Sequence, residues 1–337
     1  MRRSILFPLT AALAVAPLAP MAAGSAGIPV AASTGSLAET AAAASAETLE
    51  AAAPADAPAP VERRVATPAG ELQVRTAGRG RTPLLLWHAL YADPSMFDAL
   101  FEQLAPDYRL LLVTAPGHGA SGLPPGPLTS TASGAAVLAV LDAHGIDRAA
   151  VVGCSWGGIA GLQAALQAPQ RIVAVGAFNT PFGPADSDLG SRAIVGMTGW
   201  IGHTAFFGRR VASGFFSRQV RSHQPELVDR FVAGFPGRDP RQLQAAARAV
   251  LLERESLLPL LPGIRVPVLV VSGAEDARYP AAEAEQIARG IPQARFVRVA
   301  DSAHLTPLEQ PALTAQLIRE LVPPQLNVAV QADRTSR

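Results

Sequence analysis

The stretch AAVVGCSWGGIAGLQ, residues 149–163, joins an apolar run to a glycine-rich segment with helical spacing. Its centre, Gly153-Cys154-Ser155-Trp156-Gly157, has the form G-x-S-x-G. Between a buried strand and a helix, this form is typical of a sharp turn that exposes a serine hydroxyl above a sheet. Small residues two positions to either side of the serine let strand and helix approach closely. The stretch therefore predicts a strand, a tight turn and a helix, with Ser155 at the apex.

Short apolar runs alternate with helical segments on both sides of this turn. Buried strands are predicted at 83–88, 109–115, 148–154, 171–179, 266–273 and 294–300, and a half-buried strand at 71–78. Continuous apolar strands separated by helices are typical of a parallel sheet covered on both faces. The sequence thus predicts an α/β fold with a doubly wound, mostly parallel sheet. Residues 181–262, between the fourth and fifth buried strands, predict a mainly helical cap inserted into this pattern.

Polar residues follow the carboxyl ends of several predicted strands, where open α/β sheets place their ligand sites. Ser155 follows the third buried strand, Asp276 lies in SGAEDARYP after the fifth, and His304 lies in ADSAHLTPLEQP after the sixth. A serine, an acid and a histidine in this chain order match the catalytic triad of α/β-hydrolases. As the general base, His304 would take the proton of Ser155 and return it to the leaving group.

The other histidines occupy positions less suited to a base. Three are predicted to be structural because they close a strand, lie in a glycine-rich loop or end a helix: His88, His118 and His144. His203 and His223 lie in the insertion, where contact with a substrate stays open. Only His304 follows the last strand and precedes the last helix, so it is the predicted base.

Cys154, the one cysteine of the chain, is the competing nucleophile. A catalytic cysteine would have to occupy the apex of the turn, which belongs to Ser155. The residue before the apex points into the sheet packing, where cysteine acts as a small hydrophobic residue. We therefore predict a packing role for Cys154. A single cysteine also excludes an internal disulfide framework and a cysteine-rich metal site.

Together these motifs resemble the α/β-hydrolase superfamily over residues 61–322. HALYAD…SMF, PGHGAS and GCSWGG are most similar to the branch that holds enol-lactonases, haloperoxidase-like esterases and C–C bond hydrolases. Two positions depart from the family pattern, with Thr114 where relatives often carry aspartate and Ala89 where the oxyanion loop usually has glycine. A serine at the elbow argues against epoxide hydrolases and haloalkane dehalogenases, which place an aspartate there.

The resemblance implies the finer assignments of the site. The loop in which a glycine, two variable residues and an aspartate follow the strand implies Asp276, rather than Glu275, as the acid that orients His304. The backbone N–H groups of Leu90 and Trp156 are implied as the oxyanion hole. The implied reaction is hydrolysis of a carboxylic ester, lactone or thioester through an acyl-enzyme on Ser155, with no metal or organic cofactor.

Three alternatives to this reaction stay open. The same site is compatible with C–C bond hydrolysis and with transfer of the acyl group to an acceptor other than water. A non-catalytic, exported binding protein of the same fold is the third, and the intact serine, acid and histidine argue against it.

Aromatic residues of the insertion bear on the substrate. They fit a small apolar or aromatic ester-type molecule, or they pack the insertion onto the body: Trp200, Phe206, Phe207, Phe215 and Phe216. Arg209 and Arg210 would either meet a substrate carboxylate or solvate the outer face.

The N-terminus predicts export. MRR followed by the apolar stretch SILFPLTAALAVAPLAPMAAGSAG has the layout of a secretory signal peptide, assigned to residues 1–26. Pro8, Pro17 and Pro20 keep each apolar part well short of the ~20 residues of a membrane span, so an uncleaved anchor is the weaker alternative. The Ala/Pro-rich residues 27–60 predict a disordered linker, and 323–337 a flexible tail. The mature protein is expected in the periplasm or outside the cell.

Charge excludes one class of partner. All 28 basic residues are arginines, they form no run longer than two, and the formal net charge is only +1. A nucleic-acid-binding protein would show a basic patch or stripe. The sequence therefore predicts no nucleic-acid partner, and it carries no sign of an oligomeric state.

Overall fold

The computed structural model describes residues 60–324. The signal peptide predicted at 1–26, the linker at 27–60 and the tail at 323–337 lie outside the described residues, apart from residues 60, 323 and 324. The α/β domain predicted at 61–322 is therefore the part of the chain that can be described.

Eight strands form one sheet within residues 60–324, in the spatial order β1-β2-β4-β3-β5-β6-β7-β8. They are β1 (Val61–Thr67), β2 (Gly70–Ala77), β3 (Thr82–Trp87), β4 (Tyr108–Val113), β5 (Ala149–Cys154), β6 (Ile172–Phe178), β7 (Val268–Gly273) and β8 (Ala294–Val299). The pairs β1–β2 and β2–β4 are antiparallel, and the other five are parallel. The predicted mostly parallel sheet is confirmed.

The edge strand β1 is missing from the prediction, which begins the sheet at residue 71. In β1 only Val65 is buried, and the strand pairs with β2 alone. A strand exposed along most of its length carries no apolar periodicity, so the sequence offers no signal for it.

Helices cover both faces of the sheet. Outside the insertion they are α1 (Asp98–Leu104), α2 (Ser130–Ala143), α3 (Trp156–Gln167), α9 (Ala281–Ala288), α10 (Thr306–Glu309) and α11 (Pro311–Leu321). Alternate residues of β3 enter two different cores, with Leu85 in the one that contains α2 and α3, and Leu86 in the one that contains α1 and α11. Because successive strand side chains point to opposite faces, a fully buried strand needs apolar residues at every position. This is the doubly wound arrangement that the sequence predicts.

The chain between β6 and β7 forms five further α-helices and one short 3-10 helix (Leu258–Gly263): α4 (Leu189–Ile201), α5 (Ala205–Phe215), α6 (Arg218–His223), α7 (Pro225–Ala233) and α8 (Pro240–Leu251). Side chains of Asp188, Thr204, Ser217 and Asp239 cap four of these helices by accepting backbone N–H groups. We call residues 181–262 the insertion. No helix in the described part of the chain is long and apolar enough to cross a membrane.

Candidate active site

Ser155 lies at the turn between β5 and α3, with φ 54° and ψ −110°. A non-glycine residue with positive φ is strained by roughly 1–3 kcal/mol, so the surrounding structure must impose this conformation. The N–H of Ser155 donates to the carbonyl of Phe178 at the end of β6, 2.7 Å away. A Cβ on Gly157 would lie 2.0 Å from the carbonyl oxygen of Trp87, and one on Gly153 would lie 1.9 Å from the carbonyl carbon of Gly157. Close packing of strand and helix therefore requires both glycines.

Cys154 is fully buried on the opposite side of the turn, within the core that contains α1 and α11. Its Sγ donates to the carbonyl of His304 at 3.4 Å. Burial raises the pKa of the Cys154 thiol well above its ordinary value, which keeps it in the unreactive thiol form. The same contact brings the backbone of His304 next to the turn that carries Ser155.

His304 and Asp276 meet in a buried hydrogen bond, in which Nδ1–H of His304 donates to Oδ2 of Asp276 at 2.9 Å. Both side chains are almost inaccessible, with 3% of the histidine and none of the aspartate exposed. With its proton on Nδ1, the imidazole presents an unprotonated Nε2 as a base. Ser155 is 4% exposed. The structure thus gathers a histidine and its acid at the strand ends beside the serine turn.

Backbone and amide groups support the Asp276 carboxylate. The N–H groups of Arg278 and Tyr279 donate to Oδ1, each at 3.1 Å, and Nδ2 of Asn179 donates to Oδ2 at 3.0 Å. Burial alone would raise the pKa of Asp276, but His304 and these donors outweigh it and lower the pKa. Asp276 is therefore held as an ionised acceptor.

The loop that carries His304 is clamped by a buried carboxylate and by the insertion. Glu309 accepts the N–H of Ala303 and the N–H of Ser217 of the insertion, both at 2.8 Å. Burial raises the pKa of Glu309, although these donors oppose the shift. The N–H of His304 donates to the carbonyl of Phe215 at 3.0 Å, and the Phe215 ring packs 4.7 Å from the imidazole. The end of α5 thus lies directly on His304.

The two backbone donors that the resemblance implies, Leu90 and Trp156, are both buried at 3% exposure. Neither N–H finds a hydrogen-bond acceptor within residues 60–324. Ala89 has no positive φ, so alanine is accommodated without strain where relatives have glycine. Buried N–H groups are nearly always paired, and two such groups without a partner beside Ser155 fit donors reserved for a ligand oxygen.

A pair of buried histidines shapes the loop that contains Leu90. His88 donates from Nδ1 to the carbonyl of Ala89 and accepts the N–H of Ala115 at Nε2, both at 2.8 Å. His118 packs against it edge to face, with ring centroids 5.0 Å apart. Burial lowers the pKa of His88 to about 4, so the ring stays neutral at neutral pH. Both histidines have the structural roles that the sequence predicts.

Comparison with known proteins now places the chain. A model of the α/β hydrolase fold family matches residues 82–311, more than half of the chain. The chain is an α/β-hydrolase.

Relatives of this α/β-hydrolase include an enol-lactonase and esterases. The chain is 27% identical to 3-oxoadipate enol-lactonase 2 of Acinetobacter baylyi over 71% of this chain and 88% of that protein. It is 28% identical to the pimeloyl-acyl-carrier-protein methyl ester esterase of Aromatoleum aromaticum over 72% of this chain and 98% of that protein. A thermophilic esterase from Thermogutta terrifontis, solved with malate bound, has a TM-score of 0.71 at 27% identity and covers 77% of this chain and 97% of its own. The predicted resemblance to the enol-lactonase and esterase branch is confirmed.

The remaining polar residues that the sequence singles out take no part in the Asp276–His304 hydrogen bond. His144 forms the C-terminal cap of α2, and His203 and His223 are exposed on the insertion. Glu275 is more than a solvated neighbour, because its Oε2 accepts the N–H of Arg218 in the insertion at 2.9 Å. Arg209 and Arg210 are exposed, as expected for an outer face of the hydrolase.

The insertion aromatics divide into two groups. Phe207 and Phe216 are buried at 2% exposure each and pack within the protein, whereas Trp200 and Phe206 are 79% and 72% exposed. Packing of the insertion onto the body therefore accounts for some of these residues and not for others.

The sequence does not single out two residues near the site, Asn179 and Glu309, and it does not predict the contact of Phe215 with His304. Asn179 ends a predicted strand, so the strand-end rule that led to Ser155 would also have pointed to it. Nothing local marks Glu309, because its role depends on linking Ala303 of the His304 loop to Ser217, which lies 92 positions away in the chain.

Proposed function

We propose that this α/β-hydrolase is a serine hydrolase that cleaves a carboxylic ester, lactone or thioester through an acyl-enzyme on Ser155. The observation that carries the proposal is the buried 2.9 Å hydrogen bond from His304 Nδ1 to Asp276, beside the strained turn of Ser155. This bond selects the imidazole tautomer whose Nε2 is free to take a proton.

In the first half of the reaction, His304 Nε2 takes the hydroxyl proton of Ser155 while Oγ attacks the carbonyl carbon of the substrate. The carbonyl oxygen becomes an oxyanion. Its collapse breaks the bond to the leaving oxygen or sulfur, which receives the proton from His304. Water then attacks the acyl-enzyme by the same route, and the acid is released as the Ser155 hydroxyl is restored.

Three groups stabilise charge during these steps. The N–H groups of Leu90 and Trp156 would donate to the oxyanion, and the second also lies at the N-terminus of α3, where the helix dipole favours negative charge. The ionised Asp276 stabilises the imidazolium that forms on His304. All of the chemistry assigned to the protein is carried by side chains and backbone N–H groups of the described residues.

The substrate class rests on the relatives and on the insertion. An enol-lactonase, a methyl ester esterase and a thermophilic esterase share the fold at 27–28% identity, which favours a carboxylic ester or lactone. The aromatic content of the insertion favours a small apolar or aromatic acyl or alcohol group.

Activity-based labelling with a fluorophosphonate tests the nucleophile. Wild type and Cys154→Ala should be labelled, whereas Ser155→Ala should not. Cys154→Ala is the matched control, because it removes the neighbouring nucleophile and leaves the serine. Labelling that survives in Ser155→Ala, or is lost in Cys154→Ala while that variant remains folded, would contradict the proposal. No labelling of the wild type would favour the non-catalytic binding protein.

The reaction type needs a second assay. A panel of p-nitrophenyl esters of increasing acyl length, with a lactone and a thioester, should show turnover that Ser155→Ala abolishes. Turnover only of a vinylogous diketone would identify a C–C bond hydrolase. Product ester formed in the presence of an added alcohol, in preference to free acid, would identify an acyltransferase.

We also propose that the protein is exported, on the basis of its N-terminal sequence alone. Sequencing the N-terminus of the mature protein after cell fractionation tests this proposal. Recovery of the intact N-terminus from the cytosol would contradict it.

A further inference from the structure

Tyr91 follows the proposed oxyanion donor Leu90 and has φ 66°. A bulky residue in the left-handed region is a genuine outlier and costs roughly 1–3 kcal/mol, so the surroundings must hold it there. It is one of four non-glycine residues with positive φ in the described chain, together with Ser155 and Asn179 of the site and Asp301. The strain at Tyr91 therefore points to a function for this loop.

Four contacts hold Tyr91 in this conformation. Its N–H donates to Nε2 of His118 at 3.3 Å, and its carbonyl accepts Nη1 of Arg238 at 2.6 Å. Its hydroxyl shares a 2.8 Å hydrogen bond with Thr198, and its ring packs edge to face on Phe207, 5.5 Å away. Three of these four contacts come from the insertion, through Arg238, Thr198 and Phe207.

These contacts fix three successive peptide planes. His88 holds the carbonyl of Ala89, and in a trans peptide the N–H of Leu90 must then point the opposite way. His118 fixes the next plane at the N–H of Tyr91, and Arg238 fixes the third at its carbonyl. The direction of the Leu90 N–H is therefore set from the body at one end of the loop and from the insertion at the other.

Several contacts hold the Arg238 guanidinium in one orientation. Its side chain is 10% exposed and forms a 3.1 Å ion pair with Asp93, two residues beyond Tyr91. Its Nε donates to the carbonyl of Gly234 at 2.7 Å, and its guanidinium stacks 4.3 Å from the Phe235 ring. The planar, multidentate guanidinium thus spans Tyr91 and Asp93 while packed in one orientation, which a lysine ammonium cannot do.

We propose that Arg238 is a positioning residue that assembles the oxyanion hole. It locks the 89–93 loop in the strained conformation that aims the Leu90 N–H at the reacting carbonyl, so the hole is complete only while the insertion is docked on the body. Arg238 acts through the loop and does not itself contact the substrate. This inference rests on the proposed function, since it assigns a geometry to the acyl-transfer site.

The test compares Arg238→Gln with Arg248→Gln in the full-length protein. Arg248 is a matched control, because it lies in the same insertion and pairs with Glu253 at 3.7 Å, but it is 58% exposed. On an ester that Ser155 turns over, Arg238→Gln should lower kcat ~10- to 100-fold with little change in KM, since loss of a whole oxyanion donor costs ~10²–10³. Arg248→Gln should keep wild-type kcat.

Two further readouts separate positioning from general structural damage. A boronic acid that forms a tetrahedral Ser155 adduct should lose affinity in parallel with kcat, whereas the product acid should bind as in wild type. Arg238→Lys, which keeps the charge and one donor, should recover part of the lost kcat.

The Arg238→Gln substitution leaves Asp93 without its ion-pair partner, which puts folding of that variant at risk. The double variant Asp93→Asn/Arg238→Met is therefore tested as well. Asp93 is 36% exposed, so the pair is only partly buried, and replacing both of its members with neutral residues of similar volume is often neutral for stability. The double variant still lacks the donor to Tyr91 and should show the same loss of kcat. Wild-type kcat in whichever variant folds, or a loss shared by kcat and product-acid affinity, would overturn the inference. Failure of the proposed function would look different, because Ser155→Ala would then retain the activity.

Discussion

Asn179 donates from Nδ2 to the carboxylate of Asp276 at 3.0 Å and to the carbonyl of Ala303 at 2.8 Å. One amide at the end of β6 therefore joins the proposed catalytic acid to the loop that carries His304. Its own φ of 49° is left-handed, a region that asparagine tolerates better than most residues. Asn179 thus positions both partners of the buried pair.

At alkaline pH, we expect the Asn179→Asp variant to have a lower free energy of unfolding and a lower kcat than wild type. The change keeps the shape but turns the donor into a second carboxylate facing Asp276, and repulsion should raise the pKa of the carboxylate pair. The free energy of unfolding should fall by about 2 kcal/mol or more relative to wild type. As the pH falls and the pair takes up a proton, donation returns and the deficit shrinks.

Urea unfolding across pH checks this expectation, with Gln293→Glu as a control that adds the same charge at an exposed position. A deficit in Asn179→Asp that stays constant, or grows, as the pH falls would contradict it.

The low pKa of His88 in the folded protein predicts a loss of stability in mild acid. Its pKa is about 4 in the folded protein and 6.5 in an unfolded chain, so between these values the unfolded state binds the extra proton. Stability is fully present above pH ~6.5 and falls as the pH drops toward ~4. The desolvated ring causes the shift, with Asp93 opposing it and Arg238 adding to it.

The free energy of unfolding of wild type should therefore fall about 2 kcal/mol more than that of His88→Gln between about pH 7.5 and pH 5. His203→Gln controls for the loss of one exposed imidazole. Parallel curves for wild type and His88→Gln would show that His88 does not contribute this dependence.

Gly157→Ala should disrupt the turn of Ser155. The added methyl would lie 2.0 Å from the backbone oxygen of Trp87, a clash that no side-chain movement relieves. We expect a loss of about 3 kcal/mol or more and little remaining fluorophosphonate labelling. Gly126→Ala is the control, because a Cβ there meets nothing within 4 Å. Thermal melting and labelling together check the prediction, and a Gly157→Ala protein that melts and labels like Gly126→Ala would refute it.

Phe215 and Phe206 lie on the same helix and should differ in effect. Phe215 packs 4.7 Å from the His304 ring, whereas Phe206 is 72% exposed. Phe215→Ala should lower kcat about tenfold by loosening the imidazole, and Phe206→Ala should not. Steady-state kinetics on one ester measure both variants. Equal losses would mean that the ring contact with His304 does not position the base.

Much of the molecule follows from short-range patterns in the sequence. Buried parallel strands are almost continuously apolar, so runs such as 83–88 and 266–273 can be recognised as strands in the sequence. A serine flanked by glycines between a strand and a helix indicates the turn. The rule that sites lie at the carboxyl ends of strands then connects Ser155, Asp276 and His304. These patterns do not predict strand β1, because a strand that buries only Val65 has no apolar periodicity.

The sequence by itself determined the fold class, the helical insertion and three candidate reacting side chains, because each depends on local periodicity and on the order of elements. Only the tertiary structure decided what holds them in place: Asn179 on Asp276, Glu309 linking the His304 loop to Ser217, and Arg238 on the strained Tyr91. These contacts join residues that can lie more than a hundred positions apart, such as Arg238 and Tyr91. Pairings of that kind depend on how folded elements pack, and no local pattern encodes them.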